Sequence, residues 1–326
     1  MSTDFSDSLP QRLQFMLMEV TTACNLRCPG CRRTNRREDG EWSSRFMDLA
    51  TARKVLDNFP PISHLIVSGF GEVAFNPDLP DILAYARDCG KFRIIQINTN
   101  GLARDADYYR MLIEHGLNYL MVSVDTLDQD IADQVRTGTD VNRLRRLLHD
   151  LATFRIPVIV SITVSKENLE GLPSLLREIN DIGKFTVGVR EIGDMGQPER
   201  LLDSDGEIRL ARLLMESLPL PNLRIAPPKC LQAKDARCVD PWLRPGVTVD
   251  GYLTPCCWTN DADLFQRLSM VDMTWEEAWH KPEHLEWLRA FREAPPENPC
   301  KGCTRDPRQF GGLWQGSAFE LYRTLD

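Results

Sequence analysis

The stretch Phe15-Met16-Leu17-Met18-Glu19-Val20, continued through Thr21-Thr22-Ala23 into Cys24-Asn25-Leu26-Arg27-Cys28-Pro29-Gly30-Cys31, decides how this chain is read. Its first six residues form an apolar run of strand length. The loop behind them carries three cysteines spaced C-x3-C-x2-C. Three thiolates on one loop suit a cube-shaped cluster of four irons, and they leave one iron without a protein ligand, open to bind and activate a small molecule. Zinc motifs usually show paired C-x2-C knuckles, so a lone triad of this form points away from a closed zinc site.

Outward from this run, short apolar stretches alternate with amphipathic ones as far as about Val189. The strand-like runs are His64 to Val67, Arg93 to Ile97, Tyr119 to Val124, Pro157 to Val164 and Phe185 to Val189. Helical periodicity fills the gaps at Asp48 to Phe59, Leu79 to Cys89, Asp105 to His115, Asn142 to Phe154 and Leu172 to Ile182. Repeated βα units predict a parallel sheet with right-handed crossovers, and six of them fit a partial, open (β/α)6 barrel of TIM-like type. Ligands of such barrels gather at the carboxyl ends of the strands.

Beyond Glu191 the texture changes. A turn-rich loop, Gly193 to Pro198, precedes a helix around Glu207 to Leu218, and Pro219, Pro221, Pro227 and Pro228 punctuate a linker. The division expected is a barrel over residues 1–219 and a linker plus a small α+β domain over 220–326. The second part is rich in cysteine, and Asp250-Gly251 between Val247-Thr248-Val249 and Tyr252-Leu253-Thr254 is a hairpin signal.

The 326 residues are 42% hydrophobic and 26% charged, as in an ordinary globular protein. The longest apolar run, near Pro157 to Val164, has strand length, so no membrane association is expected. The first ten residues are polar with acidic side chains, unlike a secretory signal. Ten cysteines clustered as ligands suit a reducing compartment, and a cytoplasmic location is expected. A net charge of −8 argues against broad nucleic-acid binding and is compatible with a cationic substrate.

The cysteine triad resembles the radical S-adenosylmethionine (radical SAM) superfamily. The resemblance implies that Cys24, Cys28 and Cys31 bind a [4Fe–4S] cluster whose open iron chelates S-adenosylmethionine. It further implies that an electron from the cluster, delivered by a reductase such as flavodoxin or ferredoxin, releases a 5′-deoxyadenosyl radical that abstracts hydrogen from a C–H bond. Gly30 departs from the aromatic residue common before the last cysteine, which weakens packing against adenine and leaves the ligand set intact. Ser68-Gly69-Phe70-Gly71-Glu72 resembles the family's Gly-Gly-Glu turn, whose backbone and acidic residue receive the cofactor's ammonium. Asn98, Ser123 and Asp125 fall where family members line cofactor or substrate. Ser161, Thr163 and Asn168 resemble the segment that contacts ribose and carboxylate. Capping and turn chemistry is the alternative for each of these polar residues. Arg190 and Glu191, at the mouth after the sixth run, suit a polar substrate or a structural ion pair.

The order Cys238, Gly251, Cys256, Thr274-Trp275, then Cys300-Lys301-Gly302-Cys303 resembles the auxiliary-cluster extension called SPASM, in its shortened "twitch" form. That resemblance implies a second [4Fe–4S] cluster on Cys238, Cys256, Cys300 and Cys303, with tetrahedral zinc as the alternative for four thiolates. Cys257 is read as an alternative ligand, a buried thiol or a hydrogen-atom donor. Cys89 and Cys230 read as small buried hydrophobes, and Trp242, Trp258 and Trp314 as core or as cavity wall.

The activity these features imply is hydrogen abstraction from a carbinol carbon of a polar small molecule, an amino sugar or aminocyclitol, with epimerisation through Cys257 as catalytic donor. Oxidation to a ketone through the auxiliary cluster and modification of a ribosomal peptide are the other enzymatic readings. Only about fourteen residues precede the first strand, too few for a peptide-recognition domain, though a partner protein could supply one. An iron–sulfur electron carrier is the non-enzymatic reading.

Overall fold

The computed structural model describes residues 8–10, 12–194, 197–226, 228, 238, 240–256, 262–265 and 267–293. Six parallel strands follow the expected order: β1 (Met16–Met18), β2 (His64–Val67), β3 (Ile94–Thr99), β4 (Tyr119–Ser123), β5 (Val158–Val164) and β6 (Phe185–Glu191). The sheet extends past both ends of this set. β7 (Leu223–Ala226) adds in parallel to β6, β8 (Gly246–Val247) adds in parallel to β1, and β9 (Leu253–Thr254) closes antiparallel on β8. The order is β7-β6-β5-β4-β3-β2-β1-β8-β9, an open parallel-dominated sheet of the partial-barrel type.

The three added strands were not read as part of the barrel. β7 lies in the proline-punctuated stretch read as a linker, and only its last residue is buried, so it lacks a buried strand's pattern. The β8–β9 hairpin forms where Asp250-Gly251 signalled it, with Gly251 at φ 83°. Its docking on β1 is a long-range pairing that local pattern does not carry.

Alternation along the strands divides the interior. Leu120 and Val122 of β4, Val158, Val160, Ile162 and Val164 of β5, and Phe185, Val187 and Val189 of β6 join the core under the helices. Tyr119, Met121, Ile159 and Ala226 form a separate apolar cluster on the lumen face. The residues continuing that face toward the mouth are Ser123, Ser161, Thr163, Gly188 and Arg190, since successive strand side chains alternate.

The helices are α1 (Arg32–Glu38), α2 (Leu49–Asn58), α3 (Leu79–Asp88), α4 (Ala106–Glu114), α5 (Gln129–Val135), α6 (Val141–Leu151), α7 (Leu172–Ile182) and α8 (Ser204–Glu216), then α9 (Asp240–Leu243), α10 (Trp275–Trp279) and α11 (Pro282–Glu293). Asp48, Asp105, Asp128, Asp140 and Asp203 cap helix N-termini by accepting backbone N–H groups. α6 is representative of the barrel's outer layer: Val141, Leu144, Leu147, Leu148 and Leu151 are its buried face, and each leucine cut to alanine would cost about 2–5 kcal/mol. In the C-terminal part, Trp275 stacks on Phe59 at 5.5 Å and Trp242 is buried edge-on to Phe291 at 5.7 Å. Trp242 therefore fills core rather than walling a cavity. Among the described residues no helix is long and apolar enough to cross a membrane.

Candidate functional site

The three triad cysteines are free and half-buried. Cys24 follows β1 by a short extended segment, and Cys31 is the N-cap of α1. The loop between them is held from outside itself. Arg27 N–H donates to the Thr137 carbonyl at 3.0 Å, and the Arg33 guanidinium donates to the Leu26 carbonyl. Leu26 N–H and the Asn100 amide reach the Cys24 sulfur at 3.5 and 3.7 Å. Burial pushes all three thiols above their ordinary range, while the Arg33 cation pulls the other way on each and Arg136 pulls on Cys28.

Such a set fits an iron–sulfur cluster. A buried Arg33, 3% exposed with its Nε unpartnered, stands beside sulfurs that carry negative charge once ligated. Among the described residues no three His, Cys, Asp or Glu side chains converge on one point as a single ion requires. A cubane relaxes that demand, because each cysteine meets its own iron.

The Ser68–Glu72 turn packs against the segment leading to Cys24. A Cβ on Gly71 would lie 2.1 Å from the Thr21 carbonyl oxygen, and one on Gly69 would lie 2.4 Å from the Glu19 side chain. Both positions need glycine for close approach. Glu19, 1% exposed, accepts the Phe70 N–H at 2.8 Å, and Glu72 N–H donates to the Ala23 carbonyl at 2.7 Å.

Glu72 is committed within the protein. Its carboxyl is 3% exposed and turned inward, accepting from Thr99 Oγ1 at 2.7 Å, Asn100 N–H at 2.6 Å and Ala74 N–H at 3.2 Å. Burial pushes it up against the pull of those donors. Through Asn100, whose amide also donates to Asn25 Oδ1 at 2.8 Å, Glu72 braces the cysteine loop. Asn168 is likewise committed: its amide donates to the Asp125 and Thr163 carbonyls at 2.8 and 2.9 Å and its oxygen accepts Ser165 N–H. Both residues hold strand ends together.

Asp125, 8% exposed, pairs with Arg136 at 3.0 Å and accepts Thr163 N–H at 2.7 Å. Burial alone would lower the Arg136 pKa, but Asp125 and then Cys28 overcome it and hold the guanidinium charged. Arg136 escaped the sequence reading because it lies at the end of α5, in no strand-end segment; its only signal was a cation eleven residues after Asp125. Ser123 and Ser161 face each other across β4 and β5, and Thr163 is in register with Arg190. Asn98 accepts from Gln96 at 2.6 Å and donates to Ser68 at 3.1 Å. Arg190 lies 3.7 Å from the Met121 sulfur, and Arg190 and Glu191 are half-buried. Cys238 and Cys256 are half-buried; Cys257, Cys300 and Cys303, with Cys230, Trp258 and Trp314, lie outside the described residues.

The family model described as Radical SAM superfamily matches residues 18–179, and the SPASM model, an iron–sulfur cluster-binding domain, matches residues 238–304. The chain is a radical SAM protein with a SPASM domain. Its cofactors are accordingly a [4Fe–4S] cluster with S-adenosylmethionine, and further iron–sulfur in the SPASM part. The chain is similar to a PqqA peptide cyclase of Granulibacter bethesdensis, 22% identical over 95% of this chain and 84% of that relative. It is also similar to the tungsten-containing aldehyde ferredoxin oxidoreductase cofactor-modifying protein of Pyrococcus furiosus, 25% identical over 63% of this chain. The match spans 59% of that relative's length. Streptococcus suis SuiB bound to S-adenosylmethionine has the same fold, with a TM-score of 0.70 at 14% identity, covering 94% of this chain and 74% of SuiB. As a radical SAM enzyme the protein needs a reductant.

Proposed function

We propose that this enzyme abstracts hydrogen from a carbon of a peptide and thereby modifies it. The observation that carries the reading is the match to a peptide cyclase along nearly the whole chain, barrel and SPASM part together. When bound, the cluster supplies the electron that breaks the sulfonium bond of S-adenosylmethionine. Cys24, Cys28 and Cys31 would ligate it, leaving one corner for the cofactor. Gly69 and Gly71 let the backbone approach closely there, and Arg136, kept charged by Asp125, would offer a cation to a carboxylate. Asn98, Ser123, Ser161 and Thr163 line the mouth. Cys238 and Cys256, with Cys300 and Cys303, would hold one auxiliary cluster, within a second part running from residue 220. A reducing compartment such as the cytoplasm suits so many ligand thiols.

A second reading keeps the small polar substrate, an amino sugar or aminocyclitol, epimerised with Cys257 returning hydrogen or oxidised through the auxiliary cluster. It is favoured by Arg190 and Glu191, a cation and a carboxylate half-buried at the end of β6. The test is deuterium transfer into 5′-deoxyadenosine from labelled candidate peptides, beginning with any short peptide encoded beside the gene, and from labelled amino sugars. Label arriving from a peptide supports the first reading. Label arriving only from amino sugars overturns it, and Cys257→Ala then separates epimerisation from oxidation.

A further inference from the structure

β6 carries a glycine in its interior, Gly188, that the fold does not require. A glycine inside a strand forgoes a packed side chain and costs backbone entropy on folding. Elsewhere the reason for glycine is local: Gly251 turns a hairpin at positive φ, and Gly71 lies against backbone atoms that a Cβ would overlap. Gly188 has neither reason. Its φ is not among the positive ones, and among the described residues the nearest atom to an added Cβ is Ile159 Cγ2, at 4.0 Å. That is an ordinary contact distance, so alanine would fit the folded chain. A strand glycine of this kind marks a place where another molecule approaches closely.

Gly188 belongs to one level of the barrel wall. Ser123, Ser161, Gly188 and Ala226 are successive register partners across β4, β5, β6 and β7. Their chain neighbours Val122, Val160, Ile162, Val187 and Val189 join the core under the helices, so this row faces the lumen. Below it, Met121 and Ile159 form an apolar floor. Arg190 reaches from β6 to the Met121 sulfur on β4, at 3.7 Å, and so spans β5 between them. Small residues alone would leave only a gap, and Ser161 makes it a polar one. Ser161 is 7% exposed, yet among the described residues its hydroxyl has no hydrogen-bond partner. The hydroxyls of Thr21, Thr99 and Ser217, no more exposed, each have one. Buried polar groups are normally satisfied, so the Ser161 hydroxyl is placed to take its partner from outside the chain.

We propose that Gly188, Ser161 and Ala226 form a substrate subsite, a slot that takes the side chain of one small uncharged residue of a peptide while Ser161 donates to a carbonyl oxygen beside it. The proposal rests on the reading of the substrate as a peptide. Met121 and Ile159 below favour an uncharged side chain, and the Ser161 hydroxyl and Arg190 guanidinium are donors that call for an acceptor. The slot lies one pleat below Thr163 and Arg190, which are in register on the same face. Gly188 is then the residue that sets which side chain fits, because any larger residue there fills the slot from the wall.

The experiment uses the reconstituted full-length protein loaded with S-adenosylmethionine. The probes are capped tripeptides with glycine at both ends and alanine, valine or leucine in the middle, their binding followed by saturation-transfer NMR. Gly188→Ala is expected to unfold at a urea concentration no lower than wild type, because the unfolded chain loses freedom and the new Cβ meets nothing closer than 4.0 Å. Calorimetry is expected to show its affinity for S-adenosylmethionine unchanged. The loss falls on the probes: the valine and leucine tripeptides bind roughly tenfold more weakly, while the alanine tripeptide keeps its wild-type affinity. Ser161→Ala weakens all three by about fivefold, the loss of one hydrogen bond. Size-independent binding in Gly188→Ala, or no tripeptide bound to wild type, overturns the proposal. So does a lowered urea midpoint, which gives the glycine a structural role, or a lowered affinity for S-adenosylmethionine, which assigns the slot to the cofactor. Binding of D-glucosamine, lost in Gly188→Ala, without any tripeptide complex also overturns it. Deuterium transfer to 5′-deoxyadenosine from amino sugars alone strikes the functional reading instead, because the tripeptide arm is read without turnover.

Discussion

Replacing Gly71 with alanine tests whether the glutamate turn sets the position of the cysteine loop. The added Cβ would stand 2.1 Å from the Thr21 oxygen, 2.7 Å from the Thr21 carbonyl carbon and 2.9 Å from the Ala23 oxygen. All three are backbone atoms, so no side chain can rotate away. Relieving the overlap to an ordinary contact requires the turn and the Thr21–Ala23 segment to separate by about 1 Å. Overpacking of this kind costs about 1–3 kcal/mol, and the separation also lengthens the Glu72 N–H bond to Ala23, worth about 1 kcal/mol. The expected destabilisation is therefore about 2–4 kcal/mol. Cys24 is the next residue after Ala23, so its sulfur is displaced as well, and misplacement on the order of 1 Å lowers turnover about 100-fold. Urea denaturation, iron content and dithionite-driven 5′-deoxyadenosine formation read the three effects. Gly90→Ala is the control: its φ is 70° but nothing lies within 4 Å of the new Cβ, so it costs about 1 kcal/mol and leaves the rate alone. A Gly71→Ala protein with wild-type midpoint and rate would refute the reasoning.

Arg136→Met leaves the Asp125 carboxylate buried without its cation and is expected to destabilise by about 3–5 kcal/mol; adding Asp125→Asn, which keeps the oxygen for Thr163 N–H, should recover part of the lost melting temperature. Glu72→Gln turns an amide donor against Thr99, Ala74 or Asn100 and costs about 1–3 kcal/mol, with reduced iron content after reconstitution because Asn100 no longer braces Asn25. His284 is fully buried among Phe265, Trp275 and Trp279, which lowers its pKa to about 4 from an ordinary 6.5. The unfolded chain thus binds the proton first as pH falls. Stability present above pH 6.5 is lost between there and pH 4, by on the order of 3 kcal/mol. Urea midpoints of His284→Phe should fall less steeply than wild type across that window.

The barrel was legible because β2, β5 and their neighbours are continuous apolar runs separated by helical periodicity, a signal contained within each segment. The Asp250-Gly251 hairpin was legible for the same local reason. What stayed hidden was pairing at a distance: β8 docks on β1 across more than two hundred residues, and no local pattern encodes the partner. At the site, glycine positions were found through a motif, and a Cβ would meet the Thr21 backbone at Gly71 and the Glu19 side chain at Gly69. Glu72 and Asn168 were found by the same route, but a motif says which residue stands at a strand end and nothing of which way its side chain turns. Their inward orientation follows from donors supplied by Thr99, Asn100 and Ser165. Arg33, in α1, and Arg136, just after α5, were missed because an arginine in or beside a helix reads as solvated surface until folding brings it against thiols.

The central claim is that the cluster held by Cys24, Cys28 and Cys31 keeps one iron corner for the cofactor. Electron paramagnetic resonance of the dithionite-reduced protein, recorded before and after adding S-adenosylmethionine, tests it most directly. A shifted spectrum that returns to its original shape when the cofactor is removed, and that is absent from Cys28→Ala, is the predicted result. Superimposable spectra at saturating S-adenosylmethionine would contradict it.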